Sequence, residues 1–136
     1  MSANINPIFP LVIQQSAQTF VLADTTTIKV LFTAGLNGSR IDAIVATSTD
    51  TINQLFTVIL YDGVTAYNIG ELTVIANCGT DGATKAMSLL SLLNFPFLDA
   101  SGSLYLKNGW SLRLALKTGA IASGKTVTFV TMGGDY

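Results

Sequence analysis

The sequence predicts an all-β fold: a β-sandwich, jelly-roll-like, with one short helix and an extended N-terminal arm. Three observations predict it. Turn-forming residues recur about every ten positions, and between them stand short runs rich in β-branched and aromatic residues. Several of those runs alternate apolar and polar side chains with the period of a strand. The 136 residues suit one domain with one core and need no disulfide or metal to close it.

Residues 1–17 carry Pro7 and Pro10 and few strand signals, so they read as an arm ahead of a domain at residues 18–136. Its apolar side chains Ile5, Ile8, Phe9, Leu11 and Ile13 are expected to lie on the body or on a neighbour, and are the candidate interface residues. Residues 25–33 alternate, with Ile28, Val30 and Phe32 against Thr27, Lys29 and Thr33. Asn37-Gly38 then marks a turn, because both residues accept positive φ. Residues 40–49 set Ile41, Ala43 and Val45 against Asp42, Ile44 and Ala46. Residues 53–61 are apolar on both faces, the pattern of a strand covered on both sides.

Asp62-Gly63 turns the chain into residues 64–69 and 71–76, with Gly70 as a bulge. The helix is placed at residues 81–93, where Asp81 could cap it and Ala83, Ala86, Met87, Leu90 and Leu93 recur at helical spacing. Pro96 ends it. Residues 103–106, 109–117 and 125–132 complete the set; in the second, Trp110, Leu112, Leu114 and Leu116 oppose Ser111, Arg113, Ala115 and Lys117. About eight or nine short strands suit a sandwich or a barrel, and eight strands in two sheets suit a jelly roll.

Charge is scarce. Charged residues are 11% of the chain, against about 25% in an average globular domain. Much of the surface must be neutral polar or apolar, which suits contact with other protein because interface centres are depleted in charge. The net charge of −1 and the singly scattered lysines and arginines argue against nucleic acid as a partner. No apolar run approaches the ~18 residues that span a bilayer. The first residues lack the basic start and apolar stretch of a secretory signal, and the lone Cys78 fits synthesis in a reducing cytoplasm.

Chemical motifs are few. Residues 119–126, Gly-Ala-Ile-Ala-Ser-Gly-Lys-Thr, match the phosphate-loop pattern literally. That loop needs a helix after it, whereas Val127-Thr128-Phe129-Val130-Thr131 reads as a strand. Histidine is absent, which removes the commonest general base and metal ligand. Cys78 has no basic neighbour to activate it and reads as a small buried hydrophobe. Asp24, Asp50, Asp62, Asp81, Asp99 and Asp135 fall at predicted turns and element ends without calcium-loop spacing. The expectation is a chain that is not an enzyme and carries no cofactor or metal. An alternative is a carbohydrate-binding sandwich module, with Trp110, Tyr105, Tyr67 and the Asp-bearing turns forming a shallow sugar site.

Five strings of residues carry a resemblance. They are Phe32-Thr33-Ala34-Gly35-Leu36-Asn37-Gly38-Ser39-Arg40-Ile41, Ala46-Thr47-Ser48-Thr49-Asp50, Phe95-Pro96-Phe97-Leu98-Asp99, Gly109-Trp110-Ser111-Leu112-Arg113 and Gly133-Gly134-Asp135-Tyr136. Through them, residues 20–136 resemble a family of small tailed-phage virion proteins. The resemblance implies a capsid decoration or cement protein on the outside of a phage head. It further implies a homo-oligomer, a dimer or trimer, that partners the major capsid protein. It brings no catalytic residues.

Overall fold

The structure, a computed structural model, describes residues 11–91, 94–96, 98–117 and 120–136. Its strands are β1 (Val12–Phe20), β2 (Lys29–Thr33), β3 (Ser39–Ser48), β4 (Gln54–Tyr61), β5 (Ala66–Val74), β6 (Met87–Ser88), β7 (Leu104–Leu106), β8 (Ser111–Leu116) and β9 (Val127–Asp135). They form two antiparallel sheets. The first has the order β1-β9-β3-β6, with β7 also on β3, and the second has the order β2-β8-β4-β5. Successive strands therefore alternate between sheets at the start of the chain and return beside them at its end. This is the jelly-roll arrangement of two Greek keys.

The core lies between the sheets. Three rings centre it: Phe20 of β1 and Phe129 of β9 from one sheet, and Phe56 of β4 from the other, all fully buried. Leu112, Leu114 and Leu116 of β8 are buried at alternate positions, as the sequence pattern requires. Elsewhere bulges break the alternation. In β3 the buried apolar side chains are Ile41 before the bulge and Ile44 and Ala46 after it, because the pairing with β9 slips between Ile41 and Ala43. One extra residue moves the buried set to the other parity. A similar slip between Val30 and Phe32 of β2 leaves the consecutive residues Leu31 and Phe32 both buried.

The bulge in β3 is matched by a glycine across the sheet. Gly133 of β9 pairs Ile41, and a Cβ there would stand 3.0 Å from the Arg40 carbonyl carbon and closer still to its oxygen. Backbone cannot yield as a flexible side chain does. Gly133→Ala is expected to cost about 1–3 kcal/mol by overpacking, read as a fall in the urea midpoint. An unchanged midpoint would show that the bulge gives way freely.

Two expectations need correction. Residues 81–91 are not helical; Leu93, the end of the expected helix, lies outside the described residues. Asp81 does accept backbone N–H bonds, from Ala83 at 2.9 Å and Thr84, but it closes a turn, and Gly82 sits at φ +78°, which ends helical winding at once. Met87 and Ser88 then pair with Ala46 and Val45 of β3. Long-range pairing here overrides a local helical period.

The second correction concerns the arm. Residues 12–17, assigned to it from the sequence, belong to β1, paired with β9 from Val12–Asp135 to Phe20–Val127. The strand was hidden because its inward side chains are polar. Gln18 donates to the Val30 carbonyl at 2.8 Å, Ser16 to Leu31, and Gln14 to Thr33 at 3.2 Å. These three side chains cap the open edge of β2, so one flank of the sandwich is stitched shut without a continuous sheet. Unpaired edges invite association, and here that edge is covered.

Candidate contact surface

Because Val127, Phe129 and Thr131 of β9 point into the core, Thr128, Val130 and Met132 point out. The register places outward neighbours beside them in rows. Gln15, Met132 and Ala43 form one row; Ala17, Val130, Val45 and Ser88 the next; Thr19, Thr128 and Thr47 the last. None of these side chains is charged. Beyond the first row stand Ile13, Gly134, Arg40 and Tyr105, and there Arg40 holds Asp42 in an ion pair at 2.9 Å. The face is thus neutral across three rows and charged only at one corner.

The outer face of the other sheet differs. Lys117 pairs with Glu71, and the Arg113 guanidinium lies 3.8 Å from the centre of the Tyr61 ring. Such a cation over an aromatic face keeps its charge well placed while shielding the ring. Charge therefore sits across the β2-β8-β4-β5 face, and on the β1-β9-β3 face it is confined to the Arg40–Asp42 corner.

Of the candidate interface residues, Ile5, Ile8 and Phe9 lie outside the described residues. Leu11 and Ile13 are 86% and 85% exposed. Ile13 continues the neutral face at its edge, and Leu11 precedes it where the Leu11 N–H meets the Asp135 carbonyl at 2.7 Å.

The aromatic residues considered for a sugar site fall into separate places. Tyr67 and Trp110 are parallel, with centres 6.2 Å apart. The Tyr105 hydroxyl is held by Asp99 at 2.8 Å, and Tyr105 lines a different depression with Leu36, Lys107 and Tyr136. No ring contact joins it to the Tyr67–Trp110 pair among the described residues.

The phosphate-loop string behaves as a loop into a strand. Lys125 and Thr126 run directly into β9, so the helix N-terminus that would face a phosphate is not there. Cys78 is buried, and burial pushes its thiol up from the usual range. Asp62, Asp81 and Asp99 each hold backbone N–H groups of their own turns, led by those of Thr65, Thr84 and Ser103, which keep all three carboxyls below the usual value. The Val21 N–H and then Lys29 do the same for Asp24. Among the described residues no three His, Cys, Asp or Glu side chains gather as a metal site.

Asp50 is the exception that the sequence did not reveal. It is fully buried, accepting Gln54 Nε2 at 2.8 Å and the Ala122 N–H at 3.1 Å. Its own carbonyl accepts the Asn77 N–H at 2.9 Å. Three loops at one end of the sandwich meet on this residue. Nothing in the local sequence separates it from the turn aspartates: like them it takes a nearby N–H, that of Ile52, and the partners that set it apart, Gln54 and Ala122, lie 4 and 72 positions away.

No family model matches the chain, and no curated protein matches it. Among solved structures it is similar to a chain in the cryo-EM virus-like particle of the extra small virus of the giant freshwater prawn Macrobrachium rosenbergii. The identity is 12%, over 99% of this chain and 88% of that one, with a TM-score of 0.36. Overlap at that level carries no functional argument.

Proposed function

We propose that this chain is a structural subunit of a virion, a capsid decoration or cement protein that acts by protein contacts and performs no catalysis. The observation that carries the reading is the three uncharged rows on the β1-β9-β3 face. Covering a neutral face strips water from no charged group, so a protein partner can dock there without the desolvation penalty that charge imposes. The likeness of residues 20–136 to small tailed-phage virion proteins supplies the partner class: copies of itself and the major capsid protein. The location is then the outer surface of a phage head, reached after synthesis in the host cytoplasm.

The size of the face sets a limit. Its rows cover roughly 20 Å along the strands and 14 Å across them, on the order of 300 Å². A standard contact takes about 800 Å² from each partner. This face is therefore part of a larger contact, or one of several.

Two measurements test the reading. Imaging of intact particles is expected to find the chain in many copies on the head shell; its absence, or its confinement to a tail tip in contact with glycan, overturns the proposal. Ala17→Glu places a carboxylate in the middle row. Because Ala17 is exposed, the change in folding stability should stay within about 0.5 kcal/mol, while attachment to particles is lost. Undiminished attachment would remove this face from the contact.

A further inference from the structure

The two flanks of the sandwich are finished differently. On one, β1 side chains cap the edge of β2. On the other, β5 is the last strand of its sheet and carries no comparable cap among the described residues. Leu55 of β4 accepts the Lys117 N–H of β8, so its backbone faces β8. Antiparallel alternation then turns Phe56 toward its partner Leu72 and leaves the N–H and C=O groups of Glu71 and Thr73 facing outward from β5. Both residues are exposed, and among the described residues no hydrogen bond from outside β4 reaches the backbone of residues 66–74. The next residue of that parity shows the edge in use: the Ile75 N–H goes to Met87 Sδ at 3.2 Å, a weak acceptor.

This edge forms one wall of a groove of about 600 Å³, whose opposite wall includes Met87, Ser91 and Asn94. Leu55 and Ile75 add apolar surface, and among the described residues Glu71 is the only charged one that lines it. Outward backbone donors and acceptors beside apolar side chains fit an extended strand added at a sheet edge. A walled groove admits a single extended segment more readily than the edge of a whole second sheet.

We propose that residues 1–10 of a second copy of this chain occupy the groove and pair with the edge of β5. Those ten residues carry no charged side chain and include Ile5, Ile8 and Phe9. If Asn4, Asn6 and Ile8 face β5, Pro7 faces away and its missing N–H costs no bond. The molecule's own segment cannot lay residues 5–8 there. Leu11 lies beside β9 at the β1 edge, whereas Met87 and Ser88 lie three strands across, opposite Ala46 and Val45 of β3. Three strand spacings and about six residues along amount to about 25 Å in a straight line. Six residues back from Leu11, Ile5 can reach only about 21 Å even when fully extended. The inference rests on the self-association that the proposed function requires, and adds to it the place and the segment.

The test uses full-length chains. One variant carries Asn6→Cys and another Thr73→Cys; they are mixed, oxidised and examined for disulfides, with buried Cys78 as a silent background. A cross-link between the two variants is expected. A cross-link that forms only within a chain bearing both substitutions would overturn the inference, as would none at all. Thr73→Pro removes an outward N–H while leaving the ladder to β4 intact, and should weaken self-association on the order of tenfold. Thr73→Lys checks the edge without a proline, and association unchanged in both variants counts against the pairing. A chain that sits on particles yet fails these tests loses this inference alone, whereas absence from particles defeats the functional reading.

Discussion

Phe129→Ala should lower folding stability by about 4 kcal/mol, measured by urea unfolding followed through the single tryptophan, Trp110. Phe129 is fully buried and meets two rings edge to face, Phe56 at 5.0 Å and Phe20 at 5.7 Å between centres. Phe20 and Phe56 complete the triangle at 5.1 Å. Truncating a core phenylalanine costs about 3–5 kcal/mol through lost transfer energy and the cavity left behind, and each edge-to-face pair holds about 0.5–1.5 kcal/mol of that beyond its area. The total stability of a domain is about 5–15 kcal/mol, so the variant should stand near the edge of folding. Phe129→Leu keeps most of the volume and should lose much less. The slope of the unfolding transition should stay constant, because the same surface is exposed in each variant. A loss below about 1.5 kcal/mol for Phe129→Ala would mean that the sheets close over the gap and that the triangle does not hold them together.

The strands around this core differ in how legible they are in the sequence. β8 is readable from the sequence alone, because Leu112, Leu114 and Leu116 carry the pattern and no bulge interrupts it. β3 is only half readable. Its existence follows from residues 40–49, but the face it buries changes at the bulge, and no local signal marks which of two apolar sets goes inward. β1 was unreadable for a different reason: Gln14, Ser16 and Gln18 face inward and serve the backbone of β2. An apolar–polar code cannot register a strand whose inner face is polar. At residues 81–91, a turn at Asp81-Gly82 and pairing with β3 defeat a helical spacing that is coincidental. The neutral face was foreseen only as a deficit of charge in the composition. Its location needed the register of three strands far apart in sequence.

Asp50 yields the other large effect, and it depends on pH. Asp50→Ala leaves the Ala122 N–H and the Ile52 N–H without the carboxylate that they and Gln54 share. Orphaned buried donors cost about 1–3 kcal/mol each, so a loss of about 3 kcal/mol or more is expected at neutral pH. Asp50→Asn keeps one acceptor but turns an amide toward donors, and should lose roughly half as much. Burial alone would push this carboxyl up, but hydrogen bonds from the Ala122 N–H, Gln54 and the N–H groups of Ile52 and Thr51 together outweigh it and hold the folded pKa below the usual value. The unfolded chain titrates near 3.9. A folded pKa below that makes the contribution complete above about pH 4 to 5 and removes it as pH falls through the folded value. The gap in urea midpoint between the natural chain and Asp50→Asn should therefore be wide at pH 7, persist at pH 5, and narrow below pH 4. A gap that stays constant into acid would show that Asp50 holds the three loops through its shape and backbone rather than through its charge.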